Sequence, residues 1–135
     1  MAKSIHDLVA FQRALDLAVD VYHVTATFPR DERFGLISQL RRAVVGVVAQ
    51  IAEGHGRVSY GEWRQFLSQA RGSLFEVEAE IVVSRRLGFV DAPADERINR
   101  AIRRTGKALV GLLRWVQAQE RSAARPRNRE TPRPR

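Results

Sequence analysis

Apolar residues recur at steps of three and four along four stretches of the chain, each bounded by proline, glycine or a short polar side chain. In the first stretch Leu8, Phe11, Leu15, Ala18, Tyr22 and Thr25 share one face of a helix. Asp7 is placed to cap its start, and Pro29 stops it near Phe28. A short connection over Pro29–Arg33 leads to a second helix from about Gly35 to Glu53. Its seam is Leu36, Leu40, Ala43, Val47 and Ile51, with Val44 and Val48 beside it. Gly54-His55-Gly56 ends that helix, because glycine tolerates the left-handed conformation of a helix stop.

The third stretch opens on Ser59-Tyr60-Gly61-Glu62, a capping box in which Ser59 accepts from first-turn amides and Glu62 reaches back. Trp63, Leu67, Ala70, Leu74, Val77, Ile81 and Ser84 repeat along its seam, and Leu87-Gly88-Phe89 supplies a glycine stop with its trailing hydrophobe. Asp91-Ala92-Pro93 opens the fourth helix, since proline suits a first turn. Its seam is Ile98, Ile102, Thr105, Leu109, Leu112 and Val116, and it should run to about Glu120. Residues 121–135 hold six arginines, three prolines and no large hydrophobe. Such a segment has too little to bury to offset its ordering entropy, so a disordered tail is expected.

Few β-branched runs alternate with period two, so no sheet is predicted and the expected fold is all-α. It is an antiparallel, up-down-up-down four-helix bundle over residues 1–120 with a basic tail over 121–135. Helix 1 also carries Ala14, Leu17, Val21, Val24 and Phe28 beside its seam, and helix 2 adds Val45 and Ala52. A bundle helix needs an apolar stripe only somewhat over about 100° wide. The excess argues for a contact between copies of the chain; a thick core is the plainer reading.

Composition narrows the chemistry. The chain has no cysteine, which excludes disulfides, thiolate catalysis and zinc-thiolate sites. Its longest apolar run, Ala43–Ala49, falls far short of the roughly 20 residues a membrane-spanning helix needs, and no signal peptide pattern fits the N-terminus. A cytoplasmic, membrane-free protein is expected. His6, His23 and His55 form no pair at ligand spacing. Asp20-x-x-His23 occurs once and lies off the seam, so neither a metal nor another cofactor is expected. No nucleophile elbow or Walker loop occurs, and the chain reads as a non-enzyme. Gly54-x-Gly56 before Arg57 has the form of an anion nest, but a helix stop explains it more simply. Arg41, Arg42, Glu53, Glu76 and Glu78 stand on or beside the seams of helices 2 and 3. They are expected to form structural interhelical ion pairs, Arg42 with Glu76 in particular.

Charge is the informative asymmetry. The net charge of +8 divides into −2 over residues 1–96 and +10 over residues 97–135. Arg97, Arg100, Arg103, Arg104, Lys107 and Arg114 fall on one side of helix 4, opposite its seam, and no acid interrupts the run between Arg97 and Gln119. Guanidinium forks match phosphate oxygens, so a nucleic-acid surface is the functional reading. A merely solvated face, or a dock for an acidic protein, is the alternative. Trp115 sits at the edge of this stripe, where it should pack against helix 1, or else stack on a base.

Several strings occur together in order: Phe28-Pro29, Phe34-Gly35-Leu36, Gln39-Leu40-Arg41-Arg42-Ala43, Ile51-Ala52-Glu53-Gly54 with Arg57, Phe66-Leu67, Gly72-Ser73-Leu74 with Glu76, and Leu87-Gly88-Phe89. Over about residues 5–116 they resemble the 23S rRNA intervening-sequence protein family, also called the four-helix-bundle protein family. The resemblance implies an antiparallel bundle that assembles as a homopentamer, without catalytic activity. It also implies a link either to insertions in ribosomal RNA genes or to a related branch, the accessory variability determinant of diversity-generating retroelements. That branch binds nucleic acid through a basic surface and associates with a reverse transcriptase, and the C-terminal basic bias here leans toward it. One segment departs from the family pattern. Gly46-Val47-Val48-Ala49-Gln50 stands where Ser-Ile-Pro-Ser-Asn is expected, so helix 2 should lack a proline kink.

Overall fold

A computed structural model describes residues 4–125, and among these the chain forms four α-helices and no strand. They are α1 (Val9–Thr25), α2 (Leu36–His55), α3 (Tyr60–Arg86) and α4 (Ala92–Ala124), with 3-10 turns at Ile5–Asp7 and Arg30–Glu32. Consecutive helices pack on one another and α1 closes on α4, so the four surround one core. The α2–α3 contact is the most extensive. Leu17, Leu40, Ile51, Leu67, Ile81, Ile98 and Leu109, drawn from all four helices, are fully buried in the core. Each such side chain contributes about 1.5–3 kcal/mol of transfer free energy, well above helix propensity, so packing decides which face of each helix turns inward.

The seam of α3 is buried residue for residue as its spacing predicts, from Trp63 to Ser84. Its stop is a Schellman motif: Gly88 takes φ 81°, the Phe89 amide donates to the Ser84 carbonyl, and the Gly88 amide donates to that of Arg85. Ser59 accepts from the Glu62 amide at its start, but the return bond from Glu62 is not made. Asp91 caps α4 through the Ala94 amide.

Elsewhere the structure corrects the pattern. The buried face of α1 is Ala10, Ala14, Leu17, Val21, Val24 and Thr25, whereas Leu15 and Tyr22 are exposed. Both stripes satisfy the helical period, and the smaller alanines of the inner one let α1 approach its neighbours. Asp7 caps no helix of the bundle; it closes a capping box with Ser4 around the first 3-10 turn. At the end of α2 neither glycine is left-handed. Gly56 ends the helix, while Gly54 is buried against α3, where a Cβ would lie 2.7 Å from Trp63 Cδ1 and only glycine fits. In α4 Leu113 takes the buried place expected of Leu112, which is half-buried against the core. The helix also continues to Ala124, so residues 121–124 are ordered rather than tail; residues 126–135 lie outside the described part. Trp115 packs with Tyr60 and Trp63, ring centroids 6.2 and 5.8 Å away, at the start of α3.

The expected interhelical ion pairs are not formed. Arg42, Glu53, Glu76 and Glu78 are exposed, and among the described residues the ion pairs are Arg64–Glu120 and Arg100–Glu96. Glu76 and Glu78 flank the buried Val77, about 100° to either side, so both carboxylates stay in water and avoid a desolvation cost of several kcal/mol. Arg41 does tie helices, by a different route. Its Nε donates to Thr25 Oγ1 at 2.9 Å, and its guanidinium lies 4.5 Å from the Tyr22 ring centroid. α2 runs from Leu36 to His55 without a break across Gly46–Gln50.

Candidate nucleic-acid interface

The outer face of α4 is fixed by its inner one. Ile98, Ile102, Thr105, Leu109, Leu113 and Val116 turn to the core, and Thr105 Oγ1 donates to the Ala101 carbonyl and to the Arg13 carbonyl of α1. Arg97, Arg100, Arg103, Arg104, Lys107 and Arg114 are then all exposed. Arg100 alone among the six has an acidic partner, Glu96 at 3.3 Å, one turn back and itself exposed. An exposed pair of this kind contributes about 0–1 kcal/mol and leaves its charges available to a ligand.

The six do not form one flat stripe. They divide between two grooves that flank α4. Arg97, Arg100 and Arg104 line the α1 side, with Arg13 of α1, and there Asp16 and Asp20 stand among them. Arg103 and Lys107 line the α3 side, a groove of about 360 Å³ shared with Arg71, Leu74, Phe75 and Glu78 of α3. Asn99, Ile102, Gly106 and Val110 of α4 complete it. The first groove mixes four cations with two carboxylates; the second sets three cations against one. Arg114 lies about two turns beyond Lys107 along α4, on the same side of the helix as Arg103 and Lys107.

Sequence reasoning missed two contributions. Arg121 and Arg125 are exposed beyond Arg114 at the end of α4. Arg100, Lys107, Arg114 and Arg121 are spaced by seven residues, about 10.5 Å of rise each, on slowly drifting sides of one helix. Expecting disorder from residue 121 hid that register. The second is Arg71, Phe75 and Glu78 of α3, whose i, i+4, i+7 spacing marks a common face. Of these, sequence spacing singles out Glu78 alone, as an ion-pair candidate, and nothing local links Arg71 and Phe75 to α4. Arg57 follows the two glycines but builds no anion nest; its guanidinium lies 4.7 Å from the Phe66 ring centroid. Among the described residues no three His, Asp or Glu side chains converge as metal ligands would, and no helix is long and apolar enough to cross a membrane.

A family model described as 23S rRNA-intervening sequence protein matches residues 6–111. No curated protein matches the chain. A solved structure that does is a protein of unknown function from the S23 ribosomal protein family of Bacteroides thetaiotaomicron. It is 20% identical, aligned over 78% of this chain and 98% of that one, with a TM-score of 0.70. At that identity the likeness is one of fold. The segment matched by the family model takes in Arg97 to Lys107 and ends before Arg114.

Proposed function

Because the chain belongs to the 23S rRNA-intervening sequence protein family, we propose that it is a non-catalytic, oligomeric accessory protein. It binds RNA, alone or in complex with a reverse transcriptase, through the exposed basic face of α4. The observation that supports this most is the run of exposed arginines and lysine from Arg97 to Arg114, in which only Arg100 is paired. A row of unpaired guanidinium groups on a rigid helix meets a phosphate backbone without the ordering entropy that a flexible segment incurs. A cytoplasmic location and an antiparallel order of the helices belong to the same reading.

Oligomerisation rests on a different face. Val9, Leu15, Val19 and Tyr22 of α1 and Val45 of α2 are exposed. Burying them between copies of the chain, five by family resemblance, removes apolar area that the monomer leaves in water. Sedimentation equilibrium should return a multiple of the 15.3 kDa chain mass; a concentration-independent monomer would defeat this part.

RNA binding is tested by fluorescence anisotropy across a salt series. Changing Arg100, Arg104 and Lys107 together to Gln should weaken binding alike across RNA sequences, since phosphate contacts carry little sequence information. The log–log salt slope should fall by about 2, at roughly 0.7 per phosphate on a single strand. Unchanged affinity at low salt would make the face a solvated one and favour the second reading, an assembly scaffold docking an acidic protein.

A further inference from the structure

We propose that the α3/α4 groove is a stacking site for an unpaired nucleotide of an RNA strand. Phe75 is the platform, and Arg71, Arg103 and Lys107 are the phosphate contacts. The inference rests on the RNA-binding reading and narrows it from RNA in general to single strands.

Phe75 is the observation that a plain electrostatic surface does not explain. It is 57% exposed at the middle of α3. The other aromatic contacts gather elsewhere: Tyr60, Trp63 and Trp115 with His55, Phe28 with Phe89, and Phe11 with His6. Phe75 has no aromatic partner among the described residues; the Arg71 guanidinium lies over its ring, 5.5 Å from the centroid. A base entering the groove therefore stacks on this ring by taking the place of the Arg71 guanidinium, which is then released to hold its phosphate or to stack on the base in turn.

The rest of the groove suits the same ligand. Arg103 and Lys107 stand across from Phe75 on α4, one turn apart, as successive backbone contacts need. Asn99 lines the groove with its Nδ2 already donating to the Asp95 carbonyl at 2.8 Å, which leaves Oδ1 free to accept from a base edge. Glu78 would repel a bare phosphate, but it is an acceptor for a base amino group. Gly106 keeps the floor clear, since a Cβ there would already touch Leu74 Cδ2 at 3.5 Å. A volume of about 360 Å³ lies at the small end of ligand sites. Duplex RNA cannot place a base face on such a platform, because its bases are stacked and paired; it offers phosphates, 2′-hydroxyls and base edges instead.

The test compares an unstructured single-stranded RNA oligomer with a blunt duplex of the same length, by anisotropy at fixed salt on the full chain. The wild-type protein should prefer the single strand. Phe75→Ala should weaken single-strand binding roughly five- to hundredfold, the range for loss of one stacked base, and change duplex binding less than about twofold. Phe75→Trp should keep the preference, and its added fluorescence should be quenched by the single strand beyond any change in wild-type Trp63 and Trp115 emission. Sedimentation mass should be the same for all three proteins. Equal losses on both RNAs, or no loss with Phe75→Ala, would overturn the platform and leave RNA binding standing. A changed mass with unchanged strand preference would place Phe75 in a contact between copies instead. Failure of the wild-type protein to bind either RNA in a salt-dependent way would remove the platform and the RNA-binding reading together.

Discussion

The two sides of α3 face neighbouring helices through glycines that do opposite things. Toward α2, Gly54 lets Trp63 and Phe66 seat against the α2 backbone; a Cβ would lie 2.7 Å from Trp63 Cδ1 and 3.1 Å from Phe66 Cβ. Farther along that side Ser73 Oγ donates to Gln50 Oε1 at 3.0 Å, and the seam stays closed. Toward α4, Gly106 faces Leu74 at a distance any alanine would accept, and the helices part around a groove. One glycine is needed because there is no room, and the other leaves room that the fold does not need. Close packing is felt as stability, whereas an open groove between charged residues adds no such stability and leaves space for a ligand.

Filling the closed side should therefore cost the most. Gly54→Val forces the Trp63 indole off its seat, and overpacking of this kind costs about 1–3 kcal/mol. Urea unfolding should show a lower midpoint with an unchanged slope. A midpoint equal to wild type would mean that α2 and α3 separate easily, and the contrast between the two sides would collapse.

Filling the open side should do the reverse. Gly106→Ala adds a methyl in ordinary contact with Leu74, and alanine in a helix interior is favoured over glycine by roughly 0.5–1 kcal/mol. The variant should melt higher than wild type, while its preference for single-stranded over duplex RNA should shrink because the groove floor rises. Destabilisation would show that Gly106 is a packing glycine like Gly54.

How far this contrast was legible in the sequence differs by helix. The seam of α3 could be read because its large residues recur on one stripe only, so the period has a single solution. On α1 two apolar stripes satisfy the period, and what separates them is the alanines Ala10 and Ala14 on the inner one, a matter of approach distance that periodicity does not carry. Gly54 and Gly56 look alike in sequence; only the position of Trp63 across the interface shows that one packs and the other stops a helix. The α4 basic face was legible because its residues share one helix. The grooves beside it were not, since they need Arg71, Phe75 and Glu78 from α3 and Asp16 and Asp20 from α1, which no local spacing links to Arg97–Lys107. The Arg42–Glu76 pair failed for a related reason: opposite charges near facing seams define no distance.

The smallest effect concerns a charge caught on the closed side. Glu80 follows Ser73 by seven residues, so it lies on the side of α3 that meets α2. Its Oε2 is buried without a hydrogen-bond partner among the described residues, although the residue as a whole is only half-buried. Burial raises its pKa above the ordinary 4.5, and the nearby Glu76 carboxylate adds to the rise. A carboxyl whose pKa is raised by folding favours the folded state most when protonated, below its unfolded pKa. That advantage is lost as pH climbs through the folded pKa. At neutral pH Glu80 is therefore a mild liability, and Glu80→Gln, which keeps the shape and removes the charge, should raise the melting temperature by a few degrees at most. The gain should shrink as pH falls through the raised pKa and vanish below the ordinary carboxylate range, where Glu80 is protonated in both states. The same change at exposed Glu78, on the open side, is a surface substitution and should leave the unfolding free energy at pH 7 within about 0.5 kcal/mol of wild type. Scanning calorimetry at pH 7 and pH 4 reads both. A gain for Glu80→Gln that persists undiminished at pH 4 would assign the effect to packing rather than charge.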